Sequence, residues 1–594
     1  MLRAHGRVGV DTGGTFTDVV AGDGSVVKLP STPAEPAAAV AEGVQRAGGA
    51  RTLTHGTTVA TNALLERRGG RVALLTTEGH RDTIEIARQA RPSLYDIWAD
   101  RPVPLVPREL RFEVAGRIDG EGKEVAVAGE VPSLPSGLDA VAVCFLHADV
   151  EPAHERQVAR RLRGPFEVVC SHEVSPEFRE YERTVTTVAN AYLLRPCRAY
   201  LSALAGLAAE VLVMTSAGGL VPVAEAADMP VSLLLSGPAG GALAASAAAR
   251  SAGWADCVTL DMGGTSTDVC LILGGRPEPA ALRTVAGLPI RRPALDIHTV
   301  GAGGGSIARI DPGGALAVGP ESAGADPGPA CYGRGGTLPT VTDADLVAGR
   351  MPATDLPGLG PLDVGAARRA LGAAGVSAGG VMAVVDEAMA QAVRVVSVHR
   401  GVDPVSLALV AFGGAGPLHA CALADSLGMP AVIVPPRAGV LSAVGVLGAP
   451  RQADVVRSWE RPSRVSGVAG ALAQLAEEAR RRVGSGGAAV TTAVDCRYRG
   501  QGHELTVPTP GAFEAEHERR NGFRLTAAPV EVVALRATAT VPSGVDITAL
   551  PVPRRSGPRR GPTVIAEEDC TVWVPEGWRA DVEASGSWLL TRNR

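Results

Sequence analysis

A ten-residue pattern occurs twice in this chain, 250 residues apart, and it limits the possible folds more than any other feature. Asp11-Thr-Gly-Gly-Thr-Phe-Thr-Asp-Val19 and Asp261-Met-Gly-Gly-Thr-Ser-Thr-Asp-Val269 share the frame D-x-G-G-T-x-T-D-V, and seven of the ten positions agree between 11–20 and 261–270. Each copy follows a short apolar run and precedes another, so the spacing predicts strand, tight Gly-Gly turn, strand. Adjacent glycines let a backbone approach closely and adopt positive φ, so that N–H groups converge on anionic oxygens. Gly13, Gly14, Thr15 and Thr17 in the first copy, and Gly263, Gly264 and Thr265 in the second, are therefore candidates for holding a phosphate chain. Asp11 and Asp261 stand at the strand ends, where they could hold Mg²⁺ or orient a nucleophile, and Asp268 is a further catalytic candidate. One such motif alone reads equally well as a polar hairpin turn. Two copies, each opening half of a chain, favour phosphate binding.

The paired motifs resemble the actin, Hsp70 and sugar-kinase ATPase superfamily, in which two related α/β halves each contribute a phosphate hairpin and ATP lies between them. That superfamily also carries a glycine-rich adenosine motif in its second half. Here Leu409-Val-Ala-Phe412 reads as a buried strand, followed by Gly413-Gly414-Ala415-Gly416-Pro417 and an apolar helix over 418–427. Gly413, Gly414 and Gly416 are accordingly nucleotide-binding candidates. The fold class expected is α/β, two ATPase halves around a nucleotide cleft, followed by a smaller α+β C-terminal domain. The boundaries expected are 1–183, 184–455 and 456–594.

Further segments narrow the resemblance: His55-Gly-Thr-Thr-Val-Ala-Thr-Asn-Ala63, Arg91-Pro-Ser-Leu-Tyr95-Asp96, Ser171-His172-Glu-Val-Ser-Pro176-Glu-Phe-Arg179, Asp296-Ile-His298, Pro329-Ala-Cys331-Tyr332-Gly333 and Asp495-Cys-Arg497-Tyr-Arg-Gly500-Gln501. In this order, over nearly the whole chain, they resemble the hydantoinase A/5-oxoprolinase family, which includes N-methylhydantoinase A and acetone carboxylase beta-type subunits. The resemblance implies an ATP- and Mg²⁺-dependent enzyme that phosphorylates the carbonyl of a hydantoin, 5-oxoproline or another lactam to drive ring opening. It also implies a hydantoinase B-like partner in a hetero-oligomer. An enolate-phosphorylating ketone carboxylase subunit is the alternative enzyme, and an Hsp70-like or reactivase ATPase switch the alternative of another class. Three departures from the family pattern stand out: Met214-Thr-Ser-Ala-Gly-Gly219, Asp345 where asparagine is usual, and a shortened, proline- and arginine-rich stretch between Val541 and Gly561.

Composition excludes other nucleotide chemistries. Lys28 and Lys123 are the sole lysines of the 594 residues, and neither completes Gly-x-x-x-x-Gly-Lys-Ser/Thr, so a P-loop is ruled out. A net charge of −5 supplies no basic field for nucleic acid. None of the nine cysteines forms Cys-x-x-Cys, which argues against zinc ribbons and redox pairs and for a cytoplasmic location. The uncharged stretch 229–249 is broken by Ser236-Gly-Pro-Ala-Gly-Gly241, expected as a loop, so no membrane span is expected there. Gly237 and Gly240 in that segment are additional cofactor-binding candidates.

Four of the five residues 301–305 are glycine, which suggests either ligand approach or a tight chain crossing; ligand approach is favoured, with Gly303 and Gly304 as its residues. Asp296 and His298 share a face if extended, and could bind a metal, act as an acid/base pair or pair with each other. His298 is the catalytic candidate of the two. His55 is expected to open a helix capped by Thr57 and Thr58, as a donor to substrate or as a buried histidine. His147 and Asp149 are expected at the surface, Cys331 in a structural role, and 465–483 as an amphipathic helix with a solvated arginine face.

Overall fold

A computed structural model describes residues 5–32, 35–353, 360–552 and 554–593. The repeat folds as the sequence predicts. His5–Thr12 turns back antiparallel on Phe16–Ala21, with Asp11 opposite Asp18. Cys257–Met262 turns back on Thr267–Leu273, with Asp261 opposite Asp268. The duplication extends to a third strand that the sequence motif does not contain. Ala50–Thr57 runs parallel to the first hairpin and Ala408–Phe412 parallel to the second. Ala408–Phe412 is a continuous, fully buried apolar run, whereas Ala50–Thr57 buries Leu53, Thr54, His55, Gly56 and Thr57 at its end nearest the hairpin turn.

Each hairpin belongs to a large sheet. The first has ten strands and the second nine. Residues beyond 450 complete both sheets. Arg451–Ser458, Ala489–Tyr498, Leu505–Val507 and Val530–Val541 continue the first sheet, whereas Arg559–Arg560, Trp578–Val582 and Trp588–Arg592 continue the second. Residues 453–539 nonetheless pack a core of their own, where the amphipathic helix Val468–Val483 lays Leu475, Ala479 and Val483 on the sheet. A separate four-stranded parallel sheet, Val168–Cys170, Ala140–Cys144, Val72–Thr77 and Arg111–Val114, is inserted in the first half.

Between the halves, helix Ser236–Ser251 crosses helix Leu441–Gly448 at backbone contact. A β-carbon on Gly445 would sit 1.8 Å from the Gly240 carbonyl oxygen, and one on Gly240 2.7 Å from that of Ser442. The segment 236–241 is thus the start of a helix, not the expected loop. Small residues are needed here because two helix backbones meet. Gly240 is occupied by this crossing, which corrects its assignment to cofactor binding.

His55 lies within strand Ala50–Thr57, four residues before the helix Val59–Leu65 begins, where it is held in register with Val10 of the first hairpin. Asp149 is not a surface residue either. Its carboxylate pairs with the fully buried Arg183 at 2.5 Å and accepts the Ser458 hydroxyl at 2.7 Å. Among the described residues, no helix is long and apolar enough to cross a membrane.

Candidate functional site

The two turns face each other: a β-carbon on Gly264 would lie 3.5 Å from Thr15 Oγ1. Behind them stand four carboxylates, Asp11 and Asp18 from one hairpin and Asp261 and Asp268 from the other. Burial, reinforced by Asp18, raises Asp11 to about 7, and burial with Asp268 and Asp11 raises Asp261 to about 8. Asp268 rises to about 6 by burial despite the Thr299 hydroxyl bonded to it. Burial also raises Asp18, against the opposing pull of Lys28. Like charges gathered behind the turns disfavour ionisation, and added positive charge would restore it.

Each leading aspartate abuts a residue without a side chain on the neighbouring strand's end. A β-carbon on Gly56 would sit 2.6 Å from Asp11 Oδ1, and one on Gly413 2.5 Å from Asp261 Oδ1. Gly237, at the start of helix Ser236–Ser251, leaves further room at Asp11, since its β-carbon would lie 3.2 Å from the same Oδ1. That oxygen is buried and accepts no hydrogen bond, whereas Asp261 Oδ2 receives the Ser442 hydroxyl at 3.3 Å. A buried carboxylate oxygen without a donor suits a divalent cation or its bound water. The chemistry of this donor set is compatible with Mg²⁺.

The hairpin glycines serve access, not unusual backbone geometry. None of Gly13, Gly14, Gly263 and Gly264 has positive φ, contrary to expectation. Nothing lies within 4 Å of a β-carbon on Gly14, and Gly263 and Gly264 are exposed. Thr265 is exposed at its turn and Thr15 is half-buried. Thr17 is fully buried and bonded to Ser31 Oγ at 3.1 Å, and its counterpart Thr267 donates to the Ala302 carbonyl at 2.5 Å. Both threonines brace their turns from behind, which removes Thr17 from the phosphate-binding set.

The glycine loop 301–305 is the tight crossing, not the ligand approach. Gly304 N–H and Gly305 N–H donate to the carbonyls of Gly263 and Gly264 at 3.0 and 2.7 Å. A β-carbon on Gly303 would lie 2.7 Å from the backbone nitrogens of Thr265 and Ser266. Gly303 and Gly304 therefore support the second hairpin and are buried by it. His298 is not brought to the carboxylates either. Thr299 faces Asp268, and strand alternation turns His298 to the opposite face, in register with Val269. Its neighbour Asp296 pairs with Arg400.

In the glycine loop after Ala408–Phe412, positive φ falls on Gly413 alone. Gly414 is exposed with nothing within 4 Å of a β-carbon, and Gly416 packs on the Leu260 carbonyl. Asp345, the unusual residue, is buried and meets His419 Nε2 at 3.2 Å while Asp386 meets His419 Nδ1 at 2.6 Å. These two carboxylates outweigh burial and raise His419 to about 10, so Asp345 serves the helix Gly416–Leu427 from outside the carboxylate cluster.

Sequence reasoning missed four contributors. Asp18 was legible as the counterpart of Asp268. Lys28, weighed only as a failed P-loop lysine, donates to Asp18 at 2.8 Å. Gly56 and Ser442 carry no local signal, since only the fold brings them to the aspartates.

Two family descriptions match this chain: "Hydantoinase/oxoprolinase N-terminal region" over residues 7–165 and "Hydantoinase/oxoprolinase" over 183–455. The chain belongs to the hydantoinase/oxoprolinase family. Caprolactamase subunit alpha of Pseudomonas jessenii is 33% identical over 100% of both chains. 5-Oxoprolinase 1 of Arabidopsis thaliana is 35% identical over 77% of this chain and 42% of its own length. Acetophenone carboxylase gamma subunit of Aromatoleum aromaticum is 34% identical over 78% and 70%. The crystal structure of the ATP-dependent caprolactamase from Pseudomonas jessenii superposes with a TM-score of 0.85 at 30% identity, covering 99% of this chain and 100% of that one. An acetone carboxylase structure shares the fold, with a TM-score of 0.77 at 24% identity. The family's named members are enzymes, and both solved structures share the fold of this chain.

Proposed function

We propose that this hydantoinase/oxoprolinase chain uses MgATP to phosphorylate the carbonyl oxygen of a cyclic amide, a hydantoin, 5-oxoproline or another lactam, so that water can open the ring. The observation that carries the reading is the opposed pair of hairpins, with four carboxylates behind turns whose glycines leave open space. The backbones of Gly13, Gly14, Gly263 and Gly264, with Thr15 and Thr265, would position the phosphates of ATP as substrate. Asp11 and Asp261 would hold Mg²⁺, which when bound supplies charge compensation for the phosphates. Gly413 and Gly414 leave room for the adenosine. Phosphoryl transfer depends on such positioning and electrostatics and needs no protein nucleophile.

An amide is favoured over a ketone because caprolactamase matches the whole chain at 33% identity and superposes with a TM-score of 0.85, whereas the acetophenone carboxylase subunit matches 78% of the chain and the acetone carboxylase structure superposes at 0.77 with 24% identity. A large B-type partner subunit belongs to the reading. Relatives are named as subunits, and the segment at 94–98 holds Leu94, Tyr95, Ile97 and Trp98 between 75% and 97% exposed. Apolar side chains grouped in this way mark an interaction surface.

The test is ATP hydrolysis by the chain with its partner over a panel of hydantoins, 5-oxoproline, lactams and small ketones. A cyclic amide should raise ATP turnover and be opened in the same assay. Stimulation by ketones alone, or by an unfolded protein, would overturn the reading.

A further inference from the structure

A second site lies away from the hairpins, where the first half, the second half and the C-terminal strands meet. A cavity of about 850 Å³ opens between helix Ala153–Leu162, the segment 170–177, Arg292 and strand Arg451–Ser458. Ligand pockets of small molecules fall in this size range. Its floor includes His172, from the motif Ser171–Pro176 that the nucleotide site leaves unused.

The imidazole is fixed from behind. Glu155 is fully buried, and its Oε2 accepts His172 Nδ1 at 2.7 Å and His172 N–H at 3.0 Å. Its Oε1 accepts the Ser171 hydroxyl at 2.6 Å and Phe145 N–H at 2.9 Å. An ionised carboxylate is acceptor-only, so Nδ1 carries the hydrogen and Nε2 keeps its lone pair when the ring is neutral. Cys170 stands close enough for Glu155, Cys170 and His172 to form a metal-like triad within 4.8 Å. Four donors already saturate the Glu155 carboxylate, and burial pushes the Cys170 thiol up, so this cluster orients a histidine instead of binding a cation.

The cavity is lined by arginines and carboxylates together, and Arg292 lies near Asp454 and Glu177. Arg457 and Arg482 are both taken by Glu478. Arg292 donates from Nη1 to the Val174 carbonyl at 2.7 Å, but its Nε is buried with no acceptor. Nε is therefore turned away from the cavity, and it is the rest of the guanidinium, bonded at Nη1 to a neutral carbonyl, that can offer donors to a carboxylate there. Arg156 and Arg160, one helical turn apart on the cavity wall, have no carboxylate partner among the described residues.

We propose that this cavity binds a small amino acid, its carboxylate on Arg292, Arg156 and Arg160 and its amine against His172 Nε2. Opening a lactam yields such a molecule, and naming it as product rests on the function proposed above. The binding itself does not.

Calorimetric titration of the full chain with γ-aminobutyrate, butyrate and butylamine tests this without any ATP turnover. γ-Aminobutyrate should bind saturably, butyrate about 10-fold more weakly, the loss of one good polar contact, and butylamine not at all. Arg292→Gln should weaken γ-aminobutyrate at least about 10-fold. The exposed pair Arg156→Gln/Arg160→Gln, which leaves the core untouched, should weaken it severalfold. MgATP affinity should stay the same in both variants. No binding of γ-aminobutyrate to the wild-type chain, equal binding of butylamine, or full affinity in the Arg156→Gln/Arg160→Gln chain would overturn the proposal.

Discussion

The two hairpins share a register, a third strand and a facing turn, yet they neutralise their second aspartates differently. In the first, Lys28 reaches Asp18 at 2.8 Å from the adjoining strand Val26–Pro30 and rests 4.9 Å from the Phe16 ring centre. In the second, the partner of Asp268 among the described residues is the Thr299 hydroxyl, at 2.5 Å. Among those residues one half carries its own cation and the other a neutral donor. A repeat in sequence therefore conserves the backbone that meets a phosphate chain, while the flanking strands decide how much positive charge must come from outside.

Removing charge at the leading aspartates should have the largest effect. Asp261→Asn and Asp11→Asn should each lower steady-state ATP turnover by about 100-fold or more, with a cooperative melt retained, because charge placement dominates phosphoryl transfer. Near-normal turnover in either variant would break the pairing of the hairpins.

The asymmetry is probed one step further out. Lys28→Met should reduce turnover about 10-fold, since Asp18 loses a charge-assisted bond in a buried setting. Thr299→Val removes a neutral hydroxyl and should cost about threefold or less. Equal losses from both would contradict the claim that only the first half has a built-in cation.

A smaller effect separates the halves by pH. His419 has a folded-state pKa of about 10, above its ordinary value near 6.5, so its contribution is complete below about pH 6.5 and is lost as pH rises through 10. His55, bonded to Tyr200 at 2.6 Å, is depressed to about 4 by burial, so its contribution is complete above about pH 6.5 and is lost as pH falls through 4. Thermal melts should show His419→Gln flattening the alkaline limb and His55→Gln the acid limb. Exchange of the two limbs would contradict these environments.

The repeat made the hairpins, their strands and the strand-turn-helix at 408–427 legible, because apolar runs and adjacent glycines are local signals. Glycine was harder to interpret. Gly413 and Gly303 look alike in sequence, but one makes room beside Asp261 and the other lets a loop cross the Thr265 backbone. Which of these a glycine serves depends on what packs against it, and the chain supplies that from outside the local sequence, Asp261 for Gly413 and Thr265 for Gly303. Asp149 and Arg183 show the same limit for charge. Their ion pair is buried where the first half meets Ser458, so Asp149, expected at the surface, is part of the interior.

The central claim is that both hairpins serve one nucleotide. A double-mutant cycle in MgATP binding tests it directly, with Asp11→Asn, Asp261→Asn and the combined variant measured by calorimetry. One shared site predicts a single ATP per chain and a combined loss well short of the sum of the two single losses. Two ATP equivalents, or losses that add in full, would show two independent sites and contradict the account.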